Sequence, residues 1–592
     1  MYKAPVADIA HTLLHVTGMG ADLEAGTFGD LSAELLDAVL EEAGRLAGDD
    51  IEPMAVAAEK VGAVFSNGKV TTPPGWKEAY GQFVEGGWNS VSSPEEFGGQ
   101  GLPQSVSMAA LEIWNACSLA FGLCSTLTMG AVEAIDKHAS QEIKDLYLPK
   151  MISGEWTGTM NLTEPQAGSD VGALRTRAER MDDGTYRIFG QKIYITFGEH
   201  DLTDNIIHLV LARLSDAPQG TKGISLFVVP KQLLNADGTS GKRNDVFCAS
   251  IEHKMGIHAS PTCVMIYGDG KGETGEAGAI GWLVGEENRG LNCMFTMMNN
   301  ARLAVGMQGV AIAEGATQKA IAFAKDRKQG RAVGWKEPGM SPIILHPDVQ
   351  RMLLTMKALT QSARAICYAC SHAIDKSHVA GGENTDFWAD RAGFLTPLAK
   401  AFATDVGMEV ASLGVQVHGG MGFIEETGAA RFMRDARIAP IYEGTNGIQA
   451  IDLVMRKLPL GNGNHAADYI GELRAIATAV RHSNRPEFGS VADRLDSALD
   501  DAQAATDFLQ AEVAAGRVNA ALSGATPYLR LISLAAGGAY LAKGALAGHD
   551  AARLNLARFY AENIIAETGA LKDRVIEGSA SLAAAAELLL SA

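Results

Sequence analysis

The sequence predicts an α+β protein: an N-terminal α-helical domain, a central β domain, a helical bundle and an extra C-terminal helical appendage. Three observations predict it. Apolar residues recur at helical spacing from about Ala33 to Met151. From Glu155 to about Glu286 the texture changes to short β-branched or alternating runs, TYRIFGQKIYIT, IIHLVLARL and GISLFVVP, separated by Gly, Asp, Asn and Pro. Helical period then returns from Leu291 onward. At 592 residues the chain is too long for one core, and the domains are expected at residues 1–154, 155–286, 287–457 and 458–592.

The N-terminal helices break at Pro73-Pro74 and in SPEEFGGQGLP, Ser93 to Pro103. Within them Ile113 to Val132 carries no charge over 20 residues, long enough to span a bilayer. Asn115, Ser118, Ser125, Thr126 and Thr128 instead predict a helix buried in protein. Bundle helices are expected at Leu291 to Lys328, Asp348 to Lys376, Phe387 to Gln416 and Gly444 to Lys457. Beyond LPLGNGNH (Leu458 to His465) the chain is alanine-rich with leucine at helical spacing, and no chemistry is visible there.

Composition narrows the function. Apolar residues at 47% and charged residues at 20% are those of an ordered globular protein. The net charge of −19 disfavours nucleic acid and anionic membrane surfaces as partners. In MYKAPVADIAHTLLHV, Asp8 and two histidines interrupt the apolar run that an export signal needs, so no membrane insertion is expected and the cytoplasm is the default. Seven cysteines without framework spacing fit a reducing compartment. Cys367 and Cys370 form a CxxC with His372 nearby, but on a predicted helix and without a second ligand pair they read as core. His11 and His15 in HTLLH lack the glutamate of a metalloprotease helix and read as structural, so no metal is expected.

No Walker loop is present, and no GxGxxG stands between a strand and a helix, so any nucleotide is held another way. The loop LTEPQAGSD (Leu162 to Asp170) opens the β region, preceded by SGEW and followed by QKIYIT (Gln191 to Thr196). In the later helical region QVHGGMGF (Gln416 to Phe423), MRDAR (Met433 to Arg437) and IYEGTNGIQ (Ile441 to Gln449) follow in order. By these motifs the chain resembles the acyl-CoA dehydrogenase family over roughly Glu52 to Lys457, and its extensions resemble the long bacterial subgroup.

That resemblance implies FAD as cofactor, an acyl-CoA substrate, an electron-transfer flavoprotein as acceptor and a homodimer. It assigns Glu443 as catalytic base, and Leu162, Thr163, Tyr194, Thr196 and Thr445 to the flavin, with Tyr194 covering the isoalloxazine. Arg327, Gln416 and Gly420 match positions for the FAD pyrophosphate and adenine half, often shared across a subunit interface. Ser169, Arg302 and Gly444 match substrate contacts, Arg302 near the CoA entrance. Two departures stand out: DRKQGR (Asp326 to Arg331) lacks an aromatic that often follows the Arg-Lys pair, and Gly447 replaces a side chain sometimes used on the flavin.

The chemistry suits these residues independently. The α-proton of a thioester is a weak acid, so a carboxylate must meet it in a water-poor pocket with a raised pKa. Glu443 sits in a locally apolar stretch; as a glutamate near a helix N-terminus it is equally explained, from its surroundings alone, by the helix dipole. Three other readings remain open: an acyl-CoA oxidase that passes electrons to oxygen, a DNA-binding flavoprotein of the same fold, which needs a basic face, and a relative that holds flavin without turnover. Acyl length is not legible, although the segment around Cys124 and Thr128 is the expected lining.

Overall fold

The computed structural model describes residues 2–379 and 384–591. Packing divides the chain into two compact units. One holds residues 42–107 and 117–301; the other holds residues 2–41, 108–116 and 302–592. The sequence places residues 2–41 with the helices that follow them, whereas they group with the C-terminal half. The reason is local: Asp8 pairs with Lys357 at 3.2 Å and Arg553 at 2.9 Å, and His11 Nε2 meets Gly544 O at 3.0 Å.

The first unit contains twelve strands: β1 Val64–Ser66, β2 Lys69–Thr71, β3 Thr157–Asn161, β4 Arg177–Arg180, β5 Tyr186–Thr196, β6 Ile206–Leu214, β7 Ile224–Pro230, β8 Gln232–Leu234, β9 Ser240–Arg243, β10 Val246–Ile251, β11 Thr262–Tyr267 and β12 Ala279–Val284. The main sheet runs β10-β11-β5-β12-β7-β6-β3, with β4 pairing β5 and β6. Its pairs are antiparallel except β3 and β4, which run parallel to β6. β6 and β7 are buried along nearly their whole length, so their alternate residues feed two cores. Leu209 and Leu211 join Leu127, Ile135, Leu148 and Trp156 in one core, while Val210 and Ala212 join Ile188, Phe227 and Val229 in the other.

The hairpin β1–β2 interrupts a stretch expected to be helical, where a turn at Asn67 and Gly68 takes positive φ. The uncharged run from Ile113 to Val132 is not one helix but parts of two, Gln104–Cys117 and Leu119–His138. Ser118 separates them at φ −150°, ψ 103°, and its Oγ accepts from Phe121 N at 3.3 Å as an N-cap. Among the described residues Leu119–His138 is the one helix long and apolar enough to cross a membrane, and 89% of its apolar window is buried inside the protein.

The second unit is helical. Its long members are Pro347–His378, Thr385–His418, Val491–Ala514, Ala525–Leu546 and Thr568–Leu590, joined by most of the helix Gly290–Asp326. Gly290–Asp326 and Thr385–His418 approach closely through small residues. A Cβ placed on Gly309 would lie 2.2 Å from Ala403 O, and one on Gly306 would lie 2.6 Å from Ala399 O. All seven cysteines are buried thiols; Cys367 and Cys370 face Ala399 O and Thr396 Oγ1 within the helical packing. Among the described residues no group of three or more His, Cys, Asp and Glu side chains converges as a metal site would require.

Candidate active site

In the first unit the structure brings Leu162, Thr163, Tyr194 and Thr196 together. β3 ends at Asn161 and runs straight into Leu162 and Thr163. Ile193 N donates to Thr163 O at 2.9 Å, and Thr159 Oγ1 donates to Thr196 O at 2.7 Å, which ties this edge to β5. A buried pair sets the loop: Lys192, fully buried, donates through Nζ to Leu162 O at 2.9 Å and to Glu164 Oε1 at 2.8 Å. Glu164 also accepts from Arg175 N and Thr176 N. Burial would raise its carboxyl, yet the Lys192 ammonium and these donors hold it down at about 2. Total burial in turn lowers Lys192 to about 8.

Between β5 and β11 the register slips: Cys263 faces Ile195, but Met265 faces Lys192. This bulge puts Tyr194 at φ +61° and turns its ring outward, 60% exposed. A bulky side chain in left-handed backbone is strained, and such strain gathers at functional sites. Thr163 and Thr196 keep partly exposed side chains beside it. An outward aromatic on a strand that also carries a partly exposed threonine can face a flat, polar-edged ring. Ser169 lies exposed at the far end of the same loop.

In the second unit Glu443, Gly444 and Thr445 form a tight turn before the short helix Asn446–Asp452. Thr445 caps that helix, its Oγ1 accepting from Ile448 N at 3.2 Å. Glu443 stands at φ +56° and Gly444 at φ +86°. Gly444 is required twice over, because a Cβ there would be strained and would also lie 2.7 Å from Gln449 Nε2. The turn is anchored by Tyr442 N to Ile438 O, by Asn446 N to Pro440 O, and by the Tyr442 hydroxyl, which donates to Gln308 Oε1.

The Glu443 side chain is half-buried, and the protein crowding it pushes its carboxyl up to about 7 against the pull of Arg302 and Lys400. Arg302 is buried, with 9% exposure; burial lowers it, while Asp452 and Glu443 favour its charge. A residue from each of two helices therefore brings positive charge to this carboxylate. Arg327 and the pair Gln416 and Gly420 are exposed, and Phe323 stacks on His418 at 4.4 Å, so the ends of their two helices lie side by side.

Reasoning from sequence missed Lys192 and Glu164, which set the first loop, and Lys400, Asn446 and Gln449, which surround the second. One signal was present for Lys400: it is the lone charge in LTPLAKAFAT.

The arrangement matches a known family along the whole chain. The N-terminal, middle and C-terminal domains of acyl-CoA dehydrogenases match residues 34–155, 159–269 and 288–458, and an acetyl-CoA dehydrogenase C-terminal-like domain matches 469–586. The chain is 46% identical to the 3-methylmercaptopropionyl-CoA dehydrogenase of Ruegeria pomeroyi over 98% of its own length and 99% of the relative's. It is 37% identical to a butyryl-CoA dehydrogenase of Syntrophomonas wolfei, over 78% of this chain and 76% of that one. The fold of an acyl-CoA dehydrogenase from Bacillus anthracis complexed with FAD superposes with a TM-score of 0.73, at 21% identity, over 93% of this chain and 89% of that one. The chain belongs to the acyl-CoA dehydrogenase family. It is an FAD-dependent oxidoreductase.

Proposed function

We propose that Glu443 is the general base in the α,β-dehydrogenation of a short acyl-CoA thioester, 3-(methylthio)propanoyl-CoA going to 3-(methylthio)acryloyl-CoA. The observation that carries the reading is the Glu443 carboxylate, set in a strained turn, with burial pushing its pKa up to about 7 against the opposing charges of Arg302 and Lys400. A base poised near the working pH is both ionised and basic enough to accept a carbon-bound proton. Glu443 forms its O–H bond as the Cα–H bond breaks. Its backbone N–H is the family's donor to the thioester carbonyl, where negative charge grows. Bound FAD supplies the acceptor for the hydride that leaves Cβ.

Tyr194, Thr163, Thr196 and Leu162 would hold the flavin ring, Thr445 would also serve the cofactor, and Arg327, Gln416 and Gly420 would hold the pyrophosphate and adenine half, shared within a homodimer. Ser169, Arg302 and Gly444 would serve the thioester and its CoA. The thioether substrate rests on the 46% relative, and the 37% relative supports butyryl-CoA as the second reading. An electron-transfer flavoprotein is the proposed acceptor and the cytoplasm the proposed compartment. The boundaries at residues 154, 286 and 457 are retained as a proposal for the chain after residue 41, the segment before it grouping with the C-terminal half.

The test mixes the wild type and Glu443→Gln anaerobically with a panel of acyl-CoAs while flavin absorbance is followed. The amide keeps the shape and cannot take the proton, so the variant is expected to retain flavin and lose on the order of 10² to 10⁴ in reduction rate. The wild type is expected to bleach faster with 3-(methylthio)propanoyl-CoA or butyryl-CoA than with palmitoyl-CoA. Bleaching of Glu443→Gln near the wild-type rate refutes the base, and a preference for palmitoyl-CoA refutes the substrate class.

A further inference from the structure

The helix Thr385–His418 carries a fully buried cation, Lys400, that among the described residues pairs with no carboxylate at salt-bridge distance. Lys400 is fully buried between Ala399 and Ala401, at the crossing where Gly306 meets Ala399. An unpaired ammonium in such a place is costly, and packing alone would be served by methionine. Its hydrogen bond goes not to a carboxylate but to Asn446 Oδ1, at 2.9 Å. Asn446 in turn donates through Nδ2 to Ala401 O at 3.1 Å, Thr404 Oγ1 at 3.0 Å and Asp405 Oδ1 at 2.8 Å, and through its backbone N to Pro440 O at 3.0 Å. This one amide fastens the turn that holds Glu443 to the helix that holds Lys400.

We propose that Lys400 is a positioning residue for Glu443: through Asn446 it fixes the turn carrying the carboxylate, and its charge favours the ionised form that takes the α-proton. The inference rests on the reading of Glu443 as the base. The charged and titratable groups around the pair come from several elements. Arg302 lies on Gly290–Asp326, Tyr442 in the turn, and Asp405 on the helix of Lys400 itself. Asp452 and Arg456 act on Arg302, and Arg437 and Arg530 act on Asp405. Burial lowers Lys400 to about 7, with Glu443 and Asp405 favouring its charge and Arg302 opposing it. Removing a cation from beside Glu443 makes the carboxylate hold its proton more tightly, so the pH at which the base becomes competent rises.

The experiment follows anaerobic flavin reduction by butyryl-CoA in the holoenzyme, as rate constant over Kd against pH. In Lys400→Met the rising limb is expected to move up by about one pH unit, and the plateau at high pH is expected to fall below the wild type because the turn loses its Lys400–Asn446 bond. Lys400→Arg is expected to keep the limb in place. Asn446→Ala is expected to lower the plateau about tenfold with little movement of the limb, because it loosens the turn and leaves the charge. A Lys400→Met limb that coincides with the wild type overturns the electrostatic role. Where neutral variants at 400 do not fold, an unchanged plateau in Asn446→Ala overturns the positioning role. If Glu443→Gln stays active, the base reading fails and this one with it. If Glu443→Gln is dead and the Lys400→Met limb has not moved, the Lys400 inference alone fails.

Discussion

Glu443 occupies backbone that residues with a β-carbon avoid, at a cost of about 1–3 kcal/mol, and the surrounding bonds hold it there. Part of this was legible: IYEGT marks the residue, and the glycine after it marks a turn. What holds the turn was not, because Lys400 lies 43 residues upstream and only helix packing brings it close. Tyr194 was legible by motif, but the bulge that turns it outward depends on the register with β11, which no local pattern encodes. The raised carboxyl has a direct kinetic consequence. Glu443 must be ionised to accept a proton, so activity at low substrate rises with pH through about 7. Initial rates with an artificial electron acceptor are expected to be about tenfold higher at pH 8 than at pH 6. A flat profile over that range, with protein integrity checked, contradicts a base titrating there.

At the level of elements, helical period fixed the long helices to within a few residues. The stretch expected at Leu291 to Lys328 is Gly290–Asp326, and that expected at Phe387 to Gln416 is Thr385–His418. Period could not show the break at Ser118, since one polar side chain amid small apolar residues reads equally as buried helix or as cap. Nor could it show how these helices cross. Gly306 and Gly309 let Gly290–Asp326 come against Thr385–His418, and the same two helices carry Arg302 and Lys400 to Glu443. Gly309→Ala puts a methyl 2.2 Å from Ala403 O, where main chain must shift. Such overpacking costs roughly 1–3 kcal/mol, so a lower Tm is expected together with slower flavin reduction. An unchanged Tm and rate would mean the crossing relaxes freely.

On the scale of the molecule, composition and motif order indicated the α, β, α sequence and the helical extension, while contacts made across hundreds of residues were out of reach. Arg364 is one such centre: its guanidinium, fully buried, binds Glu112 Oε1 through Nη2 at 2.5 Å and Glu314 Oε2 at 2.8 Å, and Tyr368 donates to Glu112. One cation thus serves two buried carboxylates from two other helices. Arg364→Met removes the cation both share, leaving Glu112 with the Tyr368 hydroxyl and Glu314 with Gln318, and is expected to lose about 3–5 kcal/mol by chemical denaturation. Adding Glu112→Gln to it is expected to return part of that loss, and a fully stable single variant would contradict the role of Arg364 as their shared partner. A different consequence follows from the contacts of residues 2–41. His11 meets Gly544, 533 positions later, and Asp8 meets Arg553. During synthesis at about 5–20 residues per second, that opening segment waits roughly half a minute to two minutes on the ribosome before these C-terminal partners exist. Its partners therefore arrive in two stages, Lys357 and its helix first and Gly544 and Arg553 later, so the contacts with the far end of the chain are the last to form.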